Sequence, residues 1–415
     1  MRAKREIVGA LDLGSSSVAL VIAEVSREDV TVLGTGIAPC EGLSNGRVIS
    51  INDTAAAITA ARVEAEHMSG CELSEVYVSF SGRDITGMNN RGLIYHRKCA
   101  QVSRGDLESA IENAIHVRLD EGVVLNVVPR QYILDRHEGI KDPVGMSGVQ
   151  LEAEVHMTIA DRAALDTIER CVLKASLKVR DFVVAPLASS LAVLREDERK
   201  MGVIMLDLGT GTSNIQIWQH GRLEWTGVID MGTDLITTAI SRSLRTPVSC
   251  AEDIRLRFGA ACLADDDVNQ PIPVACVGGR GPAQISRRML VENIIQPTVV
   301  DWLTTIASRL QTVIDFNDMT AGIVLTGAAA LLPGIELVSN GVFNLNTRLG
   351  APESVGGINS RVEQNPMMSP AWGTVIYRSM LPSGDAVQPM TPRSAREMPG
   401  GGFGGLISRA INFLF

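Results

Sequence analysis

The sequence predicts an α/β protein of two large halves, and three observations carry that expectation. Residues 7–17 read IVGALDLGSSS and residues 203–213 read VIMLDLGTGTS, each an apolar strand ending in Asp, a Gly and hydroxyl turn, then a second strand. Around these hairpins, strand-like apolar runs alternate with segments of helical periodicity. With 415 residues, 45% hydrophobic and 20% charged, the chain can bury two sizeable cores.

The paired hairpins carry the chemistry. Gly14 with Ser15, Ser16 and Ser17, and Gly209 with Thr210, Gly211 and Thr212, let backbone pass close to an anion and present amides and hydroxyls to phosphate oxygens. Asp12 and Asp207, ending their strands, are aimed at a magnesium ion held through water. One Asp-Leu-Gly turn alone is also ordinary hairpin punctuation. Two of them, opening two halves of a long chain, imply an internal duplication and two loops gripping one polyphosphate, as in an ATP clamp.

The remaining elements follow in order. Helix is predicted over 53–68 with Asn52 or Asp53 as cap, and Ser103 with Asp106 has capping-box spacing ahead of LESAIENAIHV. Strands are expected at 123–134 and 150–159, a helix at 163–175 and a strand at 178–184. VIDMGTDLITTAI puts a glycine turn, Gly232 and Thr233, ahead of a helix and beside the phosphates. In SCAEDIRLRFG, Glu252 and Arg255 share a helical face, either as a carboxylate for ribose and a cation for adenine or as a solvated ion pair. Residues 292–316 read as a long helix interrupted at Pro297. In AGIVLTGAAALLPG, a strand enters a tight turn and a helix start, where Gly327, Ala328 and Ala329 are small enough for a flat adenine or ribose to lie on backbone.

Composition excludes several classes. A formal net charge of −9 argues against a nucleic-acid binder. Seven cysteines without C-x-x-C spacing suit reduced thiols in the cytosol, and the N-terminus offers no secretion signal. The histidines are dispersed, which leaves nucleotide-bound magnesium as the expected metal. No apolar run reaches the roughly 20 residues of a membrane span.

The C-terminus differs from the body. Residues 381–402 are rich in Pro and Gly and read as a flexible tether. On a following helix, Leu406, Ile407, Ala410, Ile411, Phe413 and Leu414 form an apolar face opposite Ser408, Arg409 and Asn412. Phe403, Phe413 and Phe415 suit the headgroup boundary, and Arg409 with Arg393 and Arg396 adds attraction to anionic lipid. Such a helix can also dock on its own domain; the long tether favours a membrane. One short helix binds weakly, so stable attachment calls for several copies in an assembly.

These pieces in this order resemble the superfamily of actin, sugar kinases and DnaK-type chaperones. Within it the chain is similar, over essentially its whole length, to the FtsA family of bacterial cell-division proteins. The narrowing rests on VYVSFSGRDITGMNNRG at 76–92, EGIKDPVGMSGVQLEAEVH at 138–156, LASSLAVLREDER at 187–199 and VGGRGPAQISRR at 277–288. The resemblance implies an actin-like, duplicated ribonuclease-H-like two-domain fold. Its first half would span 1–195 with a division-specific insertion at about 82–161, and its second half 196–381 with a subdomain at about 235–320. A linker at 382–402 and a membrane-targeting helix at 403–415 would complete the chain. It further implies ATP and magnesium as cofactors, filaments of the protein itself, binding of the C-terminal tail of the tubulin-like FtsZ by the 235–320 subdomain, and contacts with other division proteins. The place of work would be the cytoplasmic face of the inner membrane at the division site.

Departures from relatives bear on chemistry. Chaperones and MreB often carry a water-orienting Glu before a Pro on the connecting helix, where this chain reads VVAPLASSL with Ala185 in its place. Alanine can neither take a proton nor hold a water, so tight binding with slow or negligible turnover is expected. TGAAA replaces the more usual TGGGA or TGGAA, and Thr298 stands after Pro297 where relatives can carry Arg toward the FtsZ tail. Arg287 and Arg288 suit a protomer interface or a solvated face. A sugar kinase would need a positioned Asp base and a chaperone a separate peptide-binding domain. The actin-like pilus protein PilM lacks the GIKDPVGMSGV block.

Overall fold

A computed structural model describes residues 5–26, 29–96, 100–117, 122–264, 270–275, 283–353, 356–357 and 362–381. The expected linker and terminal helix, 382–415, lie outside these residues, as does part of the 277–288 block.

The first half opens with β1 (Glu6–Leu13), β2 (Ser17–Val25), β3 (Val30–Pro39), α1 (Ile51–Ser69) and β4 (Glu75–Phe80). The insertion adds β5 (Thr86–Tyr95), α2 (Arg104–Ile115), β6 (Gly122–Leu134) and β7 (Gln150–Asp161). Helix α3 (Arg162–Lys174), β8 (Lys178–Val184) and α4 (Ala185–Val193) return to the first half. The second half contains β9 (Val203–Leu208), β10 (Ser213–Gln219), β11 (Arg222–Ile229), α5 (Asp234–Leu244) and α6 (Val248–Phe258). It continues through α7 (Gln296–Leu310), β12 (Gly322–Thr326), α8 (Ile335–Phe343), β13 (Thr347–Leu349) and α9 (Ser369–Met380).

The duplication is visible in strand order. One sheet runs β8-β4-β1-β2-β3 and the other begins β13-β12-β9-β10-β11. In both, the acid-bearing strand pairs antiparallel with its successor, Asp12 opposite Ala19 and Asp207 opposite Asn214, and parallel with the strand on its other side. The parallel neighbours set Ser79 beside Asp12 and Thr326 beside Asp207. All of β9 is buried, as expected for a central strand covered on both faces.

Each sheet borrows a helix. Ala371, Trp372 and Val375 of α9 pack beneath Ala10, Ala19 and Val21 of the first sheet, and α4 lies against the strands of the second. The two helices cross where a Cβ added to Gly373 would collide with Ala188 O, so only glycine allows that approach. On the first sheet, Gly34 and Gly36 of β3 similarly admit α1, whose alanines Ala57, Ala61 and Ala65 face the core.

The insertion is seated across the halves. Its strands extend the second sheet as β11-β5-β7-β6, through a pairing of Gly227 with Thr86. At this seam Arg130 lies between Glu154, at 2.7 Å, and Glu224, and His156 Nε2 meets Thr226 Oγ1 at 2.9 Å.

Local details differ from the sequence expectations in two places. Helix α1 starts earlier than 53: Ser50 is the cap because its Oγ accepts from the Asp53 amide, and Asp53 sits in the first turn. The helix expected over 292–316 begins at Arg287, passes through a π-turn at Val291–Ile295 and ends at Leu310. Pro297, with no amide to bond backwards, follows directly on the π-turn, where the regular α-helical ladder is already interrupted. Helix α2 carries the Ser103–Asp106 capping box in full.

Candidate nucleotide cleft

The two hairpin turns face each other across one cleft. Each is closed the same way, by Gly14 N donating to Ser17 O at 3.1 Å and Gly209 N donating to Thr212 O at 2.9 Å. Ser16 Oγ and Thr210 Oγ1 meet at 2.8 Å and join the halves. The cleft is lined by Asp12, Gly14, Ser15, Ser16 and Ser17 on one side and by Asp207, Gly209, Thr210 and Thr212 on the other, with Gly327 and Ala328 on its floor.

Other residues singled out by sequence stand behind this lining. A Cβ on Gly211 would press on Asn45 Oδ1 and Ser15 Oγ, and one on Gly232 would strike Thr210 O. The Thr233 amide donates to Gly209 O and that of Asp234 to Thr210 O, so the start of α5 braces the second loop. Ala329 is buried in a 3-10 turn, Ala328–Leu331, that precedes α8. Glu252 and Arg255 are not among the lining residues. They pair with each other at 3.6 Å, and Arg255 Nε donates to Thr237 Oγ1 at 2.9 Å, the ion-pair alternative that their spacing left open.

Several lining and supporting residues carried no sequence signal. Ser79 Oγ donates to Asp12 Oδ1 at 2.6 Å; Ser189 Oγ and Asn214 Nδ2 donate to Asp207 Oδ2 at 2.8 and 3.2 Å. Ser81 Oγ bridges Thr212 Oγ1 and Asn214 Oδ1 across the halves. Gly46, Met367 and Pro370 also line the cleft, and so does Ala185, which the sequence itself singles out. Ser189 could have been suspected only as one of two hydroxyls, with Ser190, on an otherwise apolar helix.

Burial sets the electrostatics. It pushes the Asp12 carboxyl up to about 7, opposed by the Ser79 hydrogen bond and assisted by the charge of Asp207. Asp207 is raised too, by burial, against the hydrogen bonds from Ser189 and Asn214. Two buried carboxylates whose charges repel form a place that a cation relieves. Among the described residues no group of three or more His, Cys, Asp or Glu could hold a metal ion. A divalent ion would therefore draw most of its ligands from phosphate and water, as magnesium does beside a nucleotide. Gly327, at φ +84°, lets the floor pass this close: a Cβ there would strike Asp207 Oδ1 and lie 2.8 Å from Leu208 O.

A duplicated five-stranded sheet, exchanged helices and twin acidic loops about one cleft define the actin-like class. Solved structures agree on the fold. A chain of the PilM-PilN type IV pilus biogenesis complex superposes with TM-score 0.63 at 17% identity, over 91% of this chain and 100% of that one. MreB5 of Spiroplasma citri bound to ADP gives 0.55 at 12%, over 90% and 96%. The family model for cell division protein FtsA matches residues 204–373, and that for the SHS2 domain inserted in FtsA matches 82–159. Cell division protein FtsA of Pseudomonas aeruginosa is 35% identical over 374 residues, covering 89% of this chain and 88% of the relative. That of Neisseria meningitidis serogroup B is 34% identical over 412 residues, covering 99% and 98%, and that of Escherichia coli K12 is 34% identical over 382, covering 90% of each. The chain belongs to the FtsA family of cell-division proteins.

Proposed function

We infer that the cleft takes ATP, with magnesium held through water by Asp12 and Asp207, and that the protein is a polymerising adaptor of the division machinery. The observation that carries the nucleotide reading is the meeting of the two loops at Ser16 and Thr210 with both acids on the same cleft. In support, MreB5 of Spiroplasma citri has been solved bound to ADP and bound to AMPPNP. Ala185 supplies no group to orient water, so hydrolysis is slow or negligible.

Within this reading the 382–402 linker and the 403–415 helix tether filaments to the inner membrane, and the subdomain at about 235–320 receives the FtsZ tail. Thr298 there donates its hydroxyl to Ile294 O at 2.7 Å, back onto its own helix. No helix among the described residues is long and apolar enough to cross a membrane, in keeping with attachment by a surface helix. Two measurements test the reading. A fluorescent ATP analogue should bind in magnesium and dissociate in chelator. Full-length protein in magnesium and ATP should pellet with anionic vesicles, whereas a chain lacking 403–415 should stay in solution. Binding indifferent to chelation overturns the first part, and pelleting indifferent to truncation the second.

A further inference from the structure

A second cleft lies where the insertion meets the second half. Its walls are β6, the short strand His137–Ile140, the helix Glu196–Met201 and the turn between β10 and β11. Five cations line it, Arg130, Lys141, Arg199, Lys200 and Arg222, against the single carboxylate of Glu196. That is a strong local reversal on a chain of net charge −9.

Two of the five are answered within the protein. Arg130 is paired with Glu154 and Glu224, and Lys200 with Glu196 at 2.6 Å. Lys141, Arg199 and Arg222 have no ion pair among the described residues. Arg199 is also fixed in place. Its Nη2 donates to Ser190 O at 3.0 Å and Leu194 O at 3.3 Å, its guanidinium lies 5.0 Å from the Trp218 ring centre, and its Nε is buried without a partner. The facing turn is equally constrained, with His220 N donating to Lys200 O, Gly221 N donating to Arg199 O, and positive φ at both residues. Like charges held together on rigid elements in a concave wall repel unless an anion enters, and guanidinium forks suit phosphate oxygens.

We propose that this cleft binds a small soluble polyanion bearing phosphate, with Lys141, Arg199 and Arg222 as its cationic contacts. The site is independent of the nucleotide cleft, where Asp12 and Asp207 repel phosphate in the absence of a metal. The probe is inorganic pyrophosphate, titrated calorimetrically into the full-length protein in chelator, with citrate as a carboxylate comparison. Saturable binding is expected. Lys141→Ala with Arg222→Ala should weaken it by at least about tenfold, the loss of two charge-assisted contacts. Arg242→Ala with Arg309→Ala, which removes the same charge elsewhere, should leave it unchanged. Pyrophosphate should also shield Lys141 from amine-reactive labelling in the unsubstituted protein, a readout that does not depend on the variants folding. No binding, equal losses in both double variants, citrate binding as tightly as pyrophosphate, or unshielded Lys141 would each overturn the proposal.

Discussion

The two acid-bearing hairpins occupy the same place in two copies of one sheet, yet their carboxylates are held differently. Asp207 receives two donors, Ser189 from the crossing helix α4 and Asn214 from the partner strand. Asp12 receives one side-chain donor, Ser79, and its partner-strand position is Ala19. The duplicated topology places both acids on one cleft, while the donors around each decide how readily it carries charge. Asp12, pushed up to about 7, stands at the margin between a proton and a cation. Asp207 is the better anchored of the two.

The largest effect that can break this comparison is steric. Gly327 at φ +84° packs against Asp207 and Leu208, and no side chain fits without displacing the acid. Gly327→Val is expected to destabilise the protein by about 3 kcal/mol or more and to lower affinity for an ATP analogue by roughly 100-fold. Thermal melting and fluorescence titration give the two numbers. Unaltered affinity would mean that the floor of the cleft does not position Asp207 for a nucleotide.

A smaller effect separates the hairpins. Ser79→Ala removes the one side-chain hydrogen bond to Asp12 among the described residues, so more of that carboxyl is protonated at neutral pH and magnesium-dependent affinity falls by about tenfold. Raising the pH to 8.5 should restore much of it. Ser189→Ala leaves Asp207 with Asn214, and the loss should be a few-fold with less recovery at high pH. Equal losses and equal recoveries would show that the donors do not distinguish the two acids.

How much of this was legible in the sequence follows the same division between local and long-range causes. The turns themselves could be read, because Asp, Gly and hydroxyl at fixed spacing constitute the chemistry. The capping box at Ser103 and the strand at 178–184 could be read for the same reason. Ser79, Ser189 and Asn214 could not, since each becomes a donor only through strand pairing or through the crossing of α4 beneath the other half's sheet. The seating of the insertion on β11 was hidden likewise. The sequence supplies an edge strand with no address, and the pairing of Thr86 with Gly227 and the seam at Arg130 and His156 appear only once the halves are assembled.

That seam and the cleft respond to pH in opposite senses, which gives the finest test. Asp12 keeps its proton to about 7 in the native protein and loses it near 3.8 when unfolded, so its contribution to stability falls as pH rises between those values. His156, bonded to Asn89 and Thr226, is buried neutral with its value lowered to about 3 by burial and by Arg130. An unfolded His takes a proton below about 6.5, so this contribution is lost as pH falls from there toward 3. Between pH 4 and 6.5 the His156 slope opposes that of Asp12, to which Asp207, also raised by burial, adds in the same sense. Relative to the unsubstituted protein, Asp12→Asn should tilt melting temperature upward with pH by about 5 °C across this window, and His156→Gln downward by a similar amount. Magnesium and an ATP analogue, by favouring the charged form of Asp12, should make the unsubstituted protein behave like Asp12→Asn. Should melting in the two variants show the same slope, the native charge states assigned to the cleft and the seam are wrong.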